Sequence, residues 1–519
     1  IQMQVNSTVF TYDPVDITLL HAVGLATIAG ETGSGDRTLA TLETIFEKIN
    51  NQARVDMTIR NTTIQNRDGS SVVSIDVTDF INDPVTGLVF DAEGYSDSTS
   101  QDGFGVTTVS HVDRTYEVIA GQARVSRQTT MSQSYEHYGT DDQRLLSLTE
   151  PYVQINVYNP NGRLQRVTDE SGNDTVKIVQ SSFEYGYHKG EQLSQAISQT
   201  HTTVYQKFVV IEEQARMKES TTESITTSSD GTVTSQTSIL YNDLSERGKL
   251  IGANGIIQSS GLDAYGNRTE NAITQNFIII RDQARLANQT TETSTFDDEG
   301  HLTYHQEPLT LIYQYDDLGF LTEVTDGLGN KEIQTDSQSY EFGYDNADGD
   351  HVLKLTSKSL SQIRQTYIVV NNQARIATQI NQSETFDLRD ESTDSDDVRI
   401  SRNYGFKMVN EYDQRGRLTR VLNGGYFDKD ENLIEAEYDY VGDTIQPEPP
   451  SLDSQLQTSM KSIVESWDYS DADHPEEWLS STETTSQQTY EVLGGQARVV
   501  EQMTFSSRTR DYMDRVVSE

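Results

Sequence analysis

The sequence predicts an all-β fold, an elongated array of β-hairpin repeats in paired units, with a super-repeat of about 160 residues and a small helical insertion near 451–468. Three observations predict it. Apolar residues are thin: 34% are hydrophobic, and the 34 Gly bring the share to about 41%, below the roughly 45–50% of a compact chain. The tripeptide Gln-Ala-Arg recurs at Gln52, Gln122, Gln214, Gln283, Gln373 and Gln496. A second phrase, built on Asp and Gly, alternates with the first.

Each Gln-Ala-Arg has constant surroundings. Six residues before the Gln stand Phe46, Tyr116, Phe208, Phe277, Tyr367 and Tyr490, and three before it stand Ile49, Ile119, Ile211, Ile280, Val370 and Leu493. Three residues after it stand Val55, Val125, Met217, Leu286, Ile376 and Val499. The two residues directly before the Gln include Asn-Asn, Ala-Gly and Gly-Gly, pairs that tolerate the positive φ of a tight hairpin turn. The phrase therefore predicts a strand, a two-residue turn and a return strand starting at Gln-Ala-Arg. Glu212-Glu213 fits such a turn poorly, so a bulge in one long strand is the alternative there.

The second phrase occurs as "YNPNGRLQRVTDESGN" from Tyr158, "YDDLGFLTEVTDGLGN" from Tyr315 and "YDQRGRLTRVLNGG" from Tyr412, with an expanded form "YNDLSERGKL" from Tyr241. Asp or Asn opening the turn accepts backbone N–H bonds and Gly takes the left-handed conformation, so each predicts a short hairpin loop. Tyr412, Asp413, Gly416, Arg417, Leu418 and Thr419 resemble the YD repeat of the Rhs and teneurin families, and the resemblance covers about residues 110–440. It implies long spiralling sheets of β-hairpins, in shells or in cell-surface proteins. Gln-Ala-Arg lies outside that pattern, which favours a rod or fibre over a closed cargo shell.

Intervals between Gln-Ala-Arg anchors alternate between roughly 70 and roughly 90 residues, and the last is longer by about 30. This divides the chain into an N-terminal unit at 1–110, super-repeats at 111–270 and 271–440, and a final part at 441–519. In the N-terminal unit "TLATLETIFEKI" reads equally as helix or strand, while Met3, Val5 and Val9 alternate like a strand that could be donated to another subunit. The extra length near the end holds Leu452, Leu456, Met460, Ile463, Val464 and Trp467 at three- and four-residue steps, which predicts an amphipathic helix between prolines.

Composition also restricts function. With 81 acidic against 39 basic residues the net charge is −42, which repels nucleic acid and anionic membranes. There is no cysteine, so disulfide, thiolate-metal and cysteine-nucleophile chemistry is excluded. No apolar run is long enough for a membrane-spanning helix. The chain opens on Ile1, which suggests a processed product or part of a longer polypeptide. The nine His show no metalloprotease spacing, and neither a G-x-S-x-G nor a phosphate loop occurs, so no catalytic residue is assigned.

Four sets of residues remain. Arg54, Arg124, Arg216, Arg285, Arg375 and Arg498, each with its Gln, read as a structural device between rungs; a carboxylate-binding ladder is the functional alternative. Asp345, Asp348 and Asp350, and Asp428, Asp430, Asn432 and Glu435, form oxygen-rich loops suited to calcium, the one cofactor suggested. Asn6, Asn61, Asn173, Asn267, Asn288 and Asn381 open glycosylation sequons. The resulting expectation is an extracellular structural protein, a subunit or fragment of a surface filament or giant surface protein, whose partners are copies of itself or neighbouring parts of a longer chain, joined by β-strand pairing. The alternatives are an adhesin for glycans or another cell surface, and part of a toxin-delivery shell.

Overall fold

The computed structural model describes residues 2–15, 17–31, 36–188, 191–281, 283–345, 352–388, 398–435, 458–469, 478–493, 496–511 and 516–518. The chain divides into two compact units, Ile1–Ala264 and Tyr265–Glu519. Both are all-β and antiparallel, and consecutive strands mostly pair with each other, except that β11 also pairs with β9, β20 with β18 and β26 with β23, past the short strands between them; no helix occurs among the described residues.

In the first unit the strands are β1 (Gln2–Tyr12), β2 (Leu19–Glu31), β3 (Arg37–Ile49), β4 (Gln52–Gln65), β5 (Ser71–Asn82), β6 (Val89–Gln101), β7 (Thr107–Ile119) and β8 (Gln122–Glu136). They continue as β9 (Arg144–Tyr158), β10 (Leu164–Thr168), β11 (Thr175–His188), β12 (Glu191–Ile211), β13 (Gln214–Ser228), β14 (Val233–Leu244) and β15 (Leu250–Leu262).

The second unit holds β16 (Arg268–Ile280), β17 (Gln283–Phe296), β18 (Leu302–Tyr315), β19 (Leu321–Asp326), β20 (Glu332–Asp345), β21 (Val352–Val370) and β22 (Gln373–Asp387). Then follow β23 (Val398–Tyr412), β24 (Leu418–Phe427), β25 (Leu433–Ile434), β26 (Thr458–Tyr469), β27 (Trp478–Leu493), β28 (Gln496–Asp511) and β29 (Val516–Ser518).

Every Gln-Ala-Arg starts a strand, as expected: β4, β8, β13, β17, β22 and β28. The turn before it is a two-residue reversal with both residues left-handed where φ is described, at Asn50-Asn51, Ala120-Gly121, Glu212-Glu213 and Asn371-Asn372. Glu212-Glu213 is thus a turn like the others, and Ile211 faces Gln214 across it. One open reading is decided and one expectation is corrected. "TLATLETIFEKI" is the strand β3, not a helix. The expected helix near 451–468 is absent from the described part, because residues 458–468 form β26, paired with β27.

The ambiguity of the first and the misreading of the second share a cause: a thin sheet carries apolar side chains on both faces. In the first unit the register places Val5, Leu25, Leu39, Val73, Tyr95 and Met131 on one face, all at least 38% exposed. Without one dry face, strict period-two alternation is not enforced, and apolar residues fall by chance at helical steps.

Buried cores form where the short strand after a Tyr-Asp turn doubles back over the sheet. β10 lies against β12 and β13, β19 against β21 and β22, and β24 against β26 and β27. Val167 and Thr168 of β10 are buried there, as is Val176 at the start of β11. Leu321, Val324 and Ile333 form the second core, packed on Tyr367, Val369 and Ala374. Ile380, Tyr404, Phe427 and Ile463 form the third. The small Ala of Gln-Ala-Arg at position 374 gives the crossing strand room.

Candidate functional site

Two sequence phrases that lie about 30 residues apart meet in one joint. Each Gln-Ala-Arg strand carries a bulge just past the phrase: Tyr116 faces Val125 but Thr115 faces Arg127, leaving Ser126 unopposed. The same one-residue slip falls just before Phe46, Phe208, Phe277, Tyr367 and Tyr490. A bulge disrupts the backbone ladder locally, so nearby carbonyls need other donors.

The next strand supplies them. The hydroxyls of Tyr158, Tyr315 and Tyr412 donate to the carbonyls of Val125, Leu286 and Ile376, each at 2.9 Å. Side-chain amides do the same: Asn156 to Val125 at 2.9 Å, Asn242 to Met217 at 3.0 Å, Asn410 to Ile376 at 3.0 Å, and Asn82 to Val55 at 2.7 Å. Burial pushes the phenols of Tyr158, Tyr315 and Tyr412 up, against the opposing charge of Arg124, Arg285 and Arg375, so they stay protonated donors.

The arginines complete the joint. Nη2 of Arg54, Arg124, Arg285 and Arg375 donates to the Oε1 of its own Gln at 2.7, 2.7, 2.8 and 2.5 Å, and Arg216 makes the same bond with Gln214. Each guanidinium lies beside the left-handed Gly of the following turn. A Cβ built on Gly87 would stand 2.8 Å from Arg54 Nε; the corresponding distances are 3.8 Å at Gly162, 3.4 Å at Gly248, 3.5 Å at Gly319 and 3.2 Å at Gly416. The Nε atoms of Arg54, Arg124, Arg285 and Arg375 are buried.

The register of the joint is invariant. Met57 faces Asp79, Arg127 faces Ile155, Glu219 faces Tyr241, Asn288 faces Ile312 and Thr378 faces Val409. In every case the fifth residue after the Gln meets the fourth before the residue that opens the turn. Two turns of the second class escape the sequence pattern. "NDPVTGL" at Asn82 to Leu88 has one more residue between Asp and Gly, and "YDPVDITL" at Tyr12 to Leu19 has Ile17 at φ 60° where Gly87 stands in the other. Their backbones match: Ile17 N donates to Asp13 O, as Gly87 N donates to Asp83 O.

The turn carboxylates act as backbone caps. Asp169 and Asp326 are held below the usual carboxylate range, first by the side chains and then the backbone N–H groups of Asn173 and Asn330. The Arg417 backbone N–H does the same for Asp413. Asp428 accepts from the backbone of Asp430 at 3.0 Å and Asn432 at 2.8 Å, so this carboxylate closes a turn. Asp430 and Glu435 lie exposed near it. Asp345 ends β20, while Asp348 and Asp350 lie outside the described residues. Among the described residues no group of three or more His, Asp or Glu is arranged to hold a metal ion.

Of the sequons, Asn6 and Asn61 are exposed in mid-strand, and Asn173 is exposed at a turn with its amide on Asp169 at 2.7 Å. Asn267 is half-buried just before β16; Asn288 and Asn381 are half-buried in strands, where they accept from Asn276 and Gln379. Sequence patterns did not single out His111, which sits between Asp97 at 2.6 Å and Asp113 at 3.1 Å, or Arg402, shared by Glu384 and Glu431 in an open groove of about 420 Å³. Asp97 leads the groups that raise the His111 pKa. No helix of the described residues is long and apolar enough to cross a membrane. No protein-family model and no curated protein matches the chain.

Proposed function

We propose that the chain is an extracellular structural repeat protein, similar to YD-repeat proteins, serving as a subunit or fragment of a surface filament or giant surface protein that assembles by β-strand pairing. The observation that carries this reading is the joint, five times repeated in one register, whose guanidinium groups donate to Gln and pack beside the glycine of a turn. A ligand ladder would present those groups to solvent. The role is mechanical: thin sheets locked by recurring clasps, kept soluble by a net charge of −42.

Electron microscopy of the native material, with and without a calcium chelator, tests it. Long uniform fibres support the reading, and their loss on chelation adds calcium as a structural ion. Separate particles in both conditions overturn the polymer. A second reading, an adhesin, is favoured by Phe104 and Tyr265, 82% and 86% exposed at turn tips. Glycan-dependent retention lost in Phe104→Ser or Tyr265→Ser would support it.

A further inference from the structure

In the first unit, the sheet face that carries Val73 and Tyr95 holds a groove of about 550 Å³ over β4 to β7. The register divides it lengthwise. On β4 and β5 the half-buried side chains of Met57, Ile59, Ile75 and Val77 form an apolar side. On β6 and β7 stand Glu93, Tyr95 and Asp113, all exposed, and Asp79 of β5 lies beside Glu93. Asp97, opposite Ile75, extends the acidic side along β6.

The acidic side lacks the cation it calls for. Asp79 lies directly opposite Glu93 in the ladder, where like charges repel. Among the described residues neither makes an ion pair. The basic groups nearby are engaged elsewhere: Arg54 by Gln52, Arg114 by Asp76 on the opposite face, Arg127 by Glu170 at 2.8 Å, and His111 by Asp97 and Asp113. Burial, and then the charges of Glu47 and Asp79, push the neighbouring Asp56 carboxyl up.

We infer that this groove docks an extended segment of a partner protein in which Lys or Arg alternates with apolar residues, the cations over Glu93, Asp113 and Asp97 and the apolar groups over Met57, Ile59, Ile75 and Val77. The three carboxylates fall in successive rows of the sheet, about 6.6 Å apart, the spacing of alternate residues along an extended chain. Successive side chains of such a segment point to opposite sides, so one set meets the apolar strands and the other the acidic ones. An exposed apolar patch with a polar rim marks an interaction surface, and charge complementarity selects its occupant. A second copy of this chain, with 81 acidic against 39 basic residues, brings like charge to the rim. The inference goes beyond the structural role and does not depend on polymer formation.

Calorimetric titration of the full chain with three synthetic peptides, alternating Lys-Leu, Lys-Ser and Glu-Leu, tests it. The Lys-Leu peptide should bind, Lys-Ser about ten-fold more weakly, and Glu-Leu not at all. Asp79→Asn with Glu93→Gln should weaken the Lys-Leu peptide by about ten-fold, while the melting midpoint of the chain holds or rises because a repulsion is relieved. Tyr95→Ser should weaken the Lys-Leu peptide and leave Lys-Ser unchanged. Asp141→Asn with Asp142→Asn removes the same charge from the exposed turn between β8 and β9 and should alter neither. Absence of binding, equal affinity for Lys-Leu and Lys-Ser, or equal weakening by the Asp141 and Asp142 pair overturns the groove, the last two leaving only diffuse attraction to an acidic surface. Sedimentation velocity runs in parallel. Self-association that Asp79→Asn with Glu93→Gln abolishes would give the groove to a second copy and overturn the cationic partner.

Discussion

Replacing Gly87 by Ala should destabilise its turn through two separable effects. The residue has φ 69°, and an L side chain there costs about 1–2 kcal/mol. The new Cβ would also stand 2.8 Å from Arg54 Nε, so the guanidinium must withdraw and give up its 2.7 Å bond to Gln52. A hydrogen bond of this kind contributes about 0.5–1.5 kcal/mol. The total is about 2–3 kcal/mol, or roughly 30- to 150-fold faster local opening. Gly319→Ala meets Arg285 Nε at 3.5 Å, ordinary contact, and should cost only the conformational part. Hydrogen exchange of the peptide around Gly87, in wild type, Gly87→Ala, Arg54→Ala and the double variant, closes the cycle. The coupling should be about 1 kcal/mol. An equal effect of Gly87→Ala in both Arg54 backgrounds would refute the clasp.

Other outcomes follow from the same geometry. Tyr315→Phe should weaken its joint more than Tyr412→Phe, by about 0.5–1.5 kcal/mol, because the Ile376 carbonyl keeps Asn410; denaturant melts of both variants decide it. Ile333→Ala empties a site only 1% exposed and should cost about 2–5 kcal/mol, read as a lower midpoint for Tyr265–Glu519 against an unchanged Ile1–Ala264. The folded pKa values of Asp169, Asp326 and Asp413 lie below the usual 3.8, so their contribution is complete above that value and is lost as pH falls through the lowered ones; carboxyl NMR titration should find them among the last to protonate. The phenols of Tyr158, Tyr315 and Tyr412 lie above the usual 10.0, so their contribution is complete below that pH and lost as pH rises through the raised values. Phenolate absorbance should show a late-ionising class that Tyr→Phe variants remove.

Turn chemistry was the most legible part of this sequence. Asn50-Asn51 and Ala120-Gly121 announce tight reversals because few residue pairs tolerate two left-handed conformations, and Asp413 with Gly416 announces a capped loop. Glu212-Glu213 was harder to read because its side chains do not favour the conformation that the flanking strands impose. The turns at Asp13 and Asp83 were hidden by one inserted residue and, in the first, by Ile17 at the place of Gly. Bulges leave no composition signal, and without the bulge at Ser126 nothing in the sequence says why Tyr158 should seek the carbonyl of Val125. The structural role of Arg54 and its repeats was readable as a category, but its contact with a turn glycine about 30 residues on was not. β26 misread as a helix for a different reason, since a strand with apolar groups on both faces imitates helical spacing.

The most direct measurement is NMR of the full chain labelled at arginine Nε. The account predicts that the Nε–H groups of Arg54, Arg124, Arg285 and Arg375 exchange slowly and keep their shifts when acetate or phosphate is added, because each is buried against its turn. Rapid exchange with anion-dependent shifts at these four would contradict it, and would make the repeated arginine a binding ladder after all.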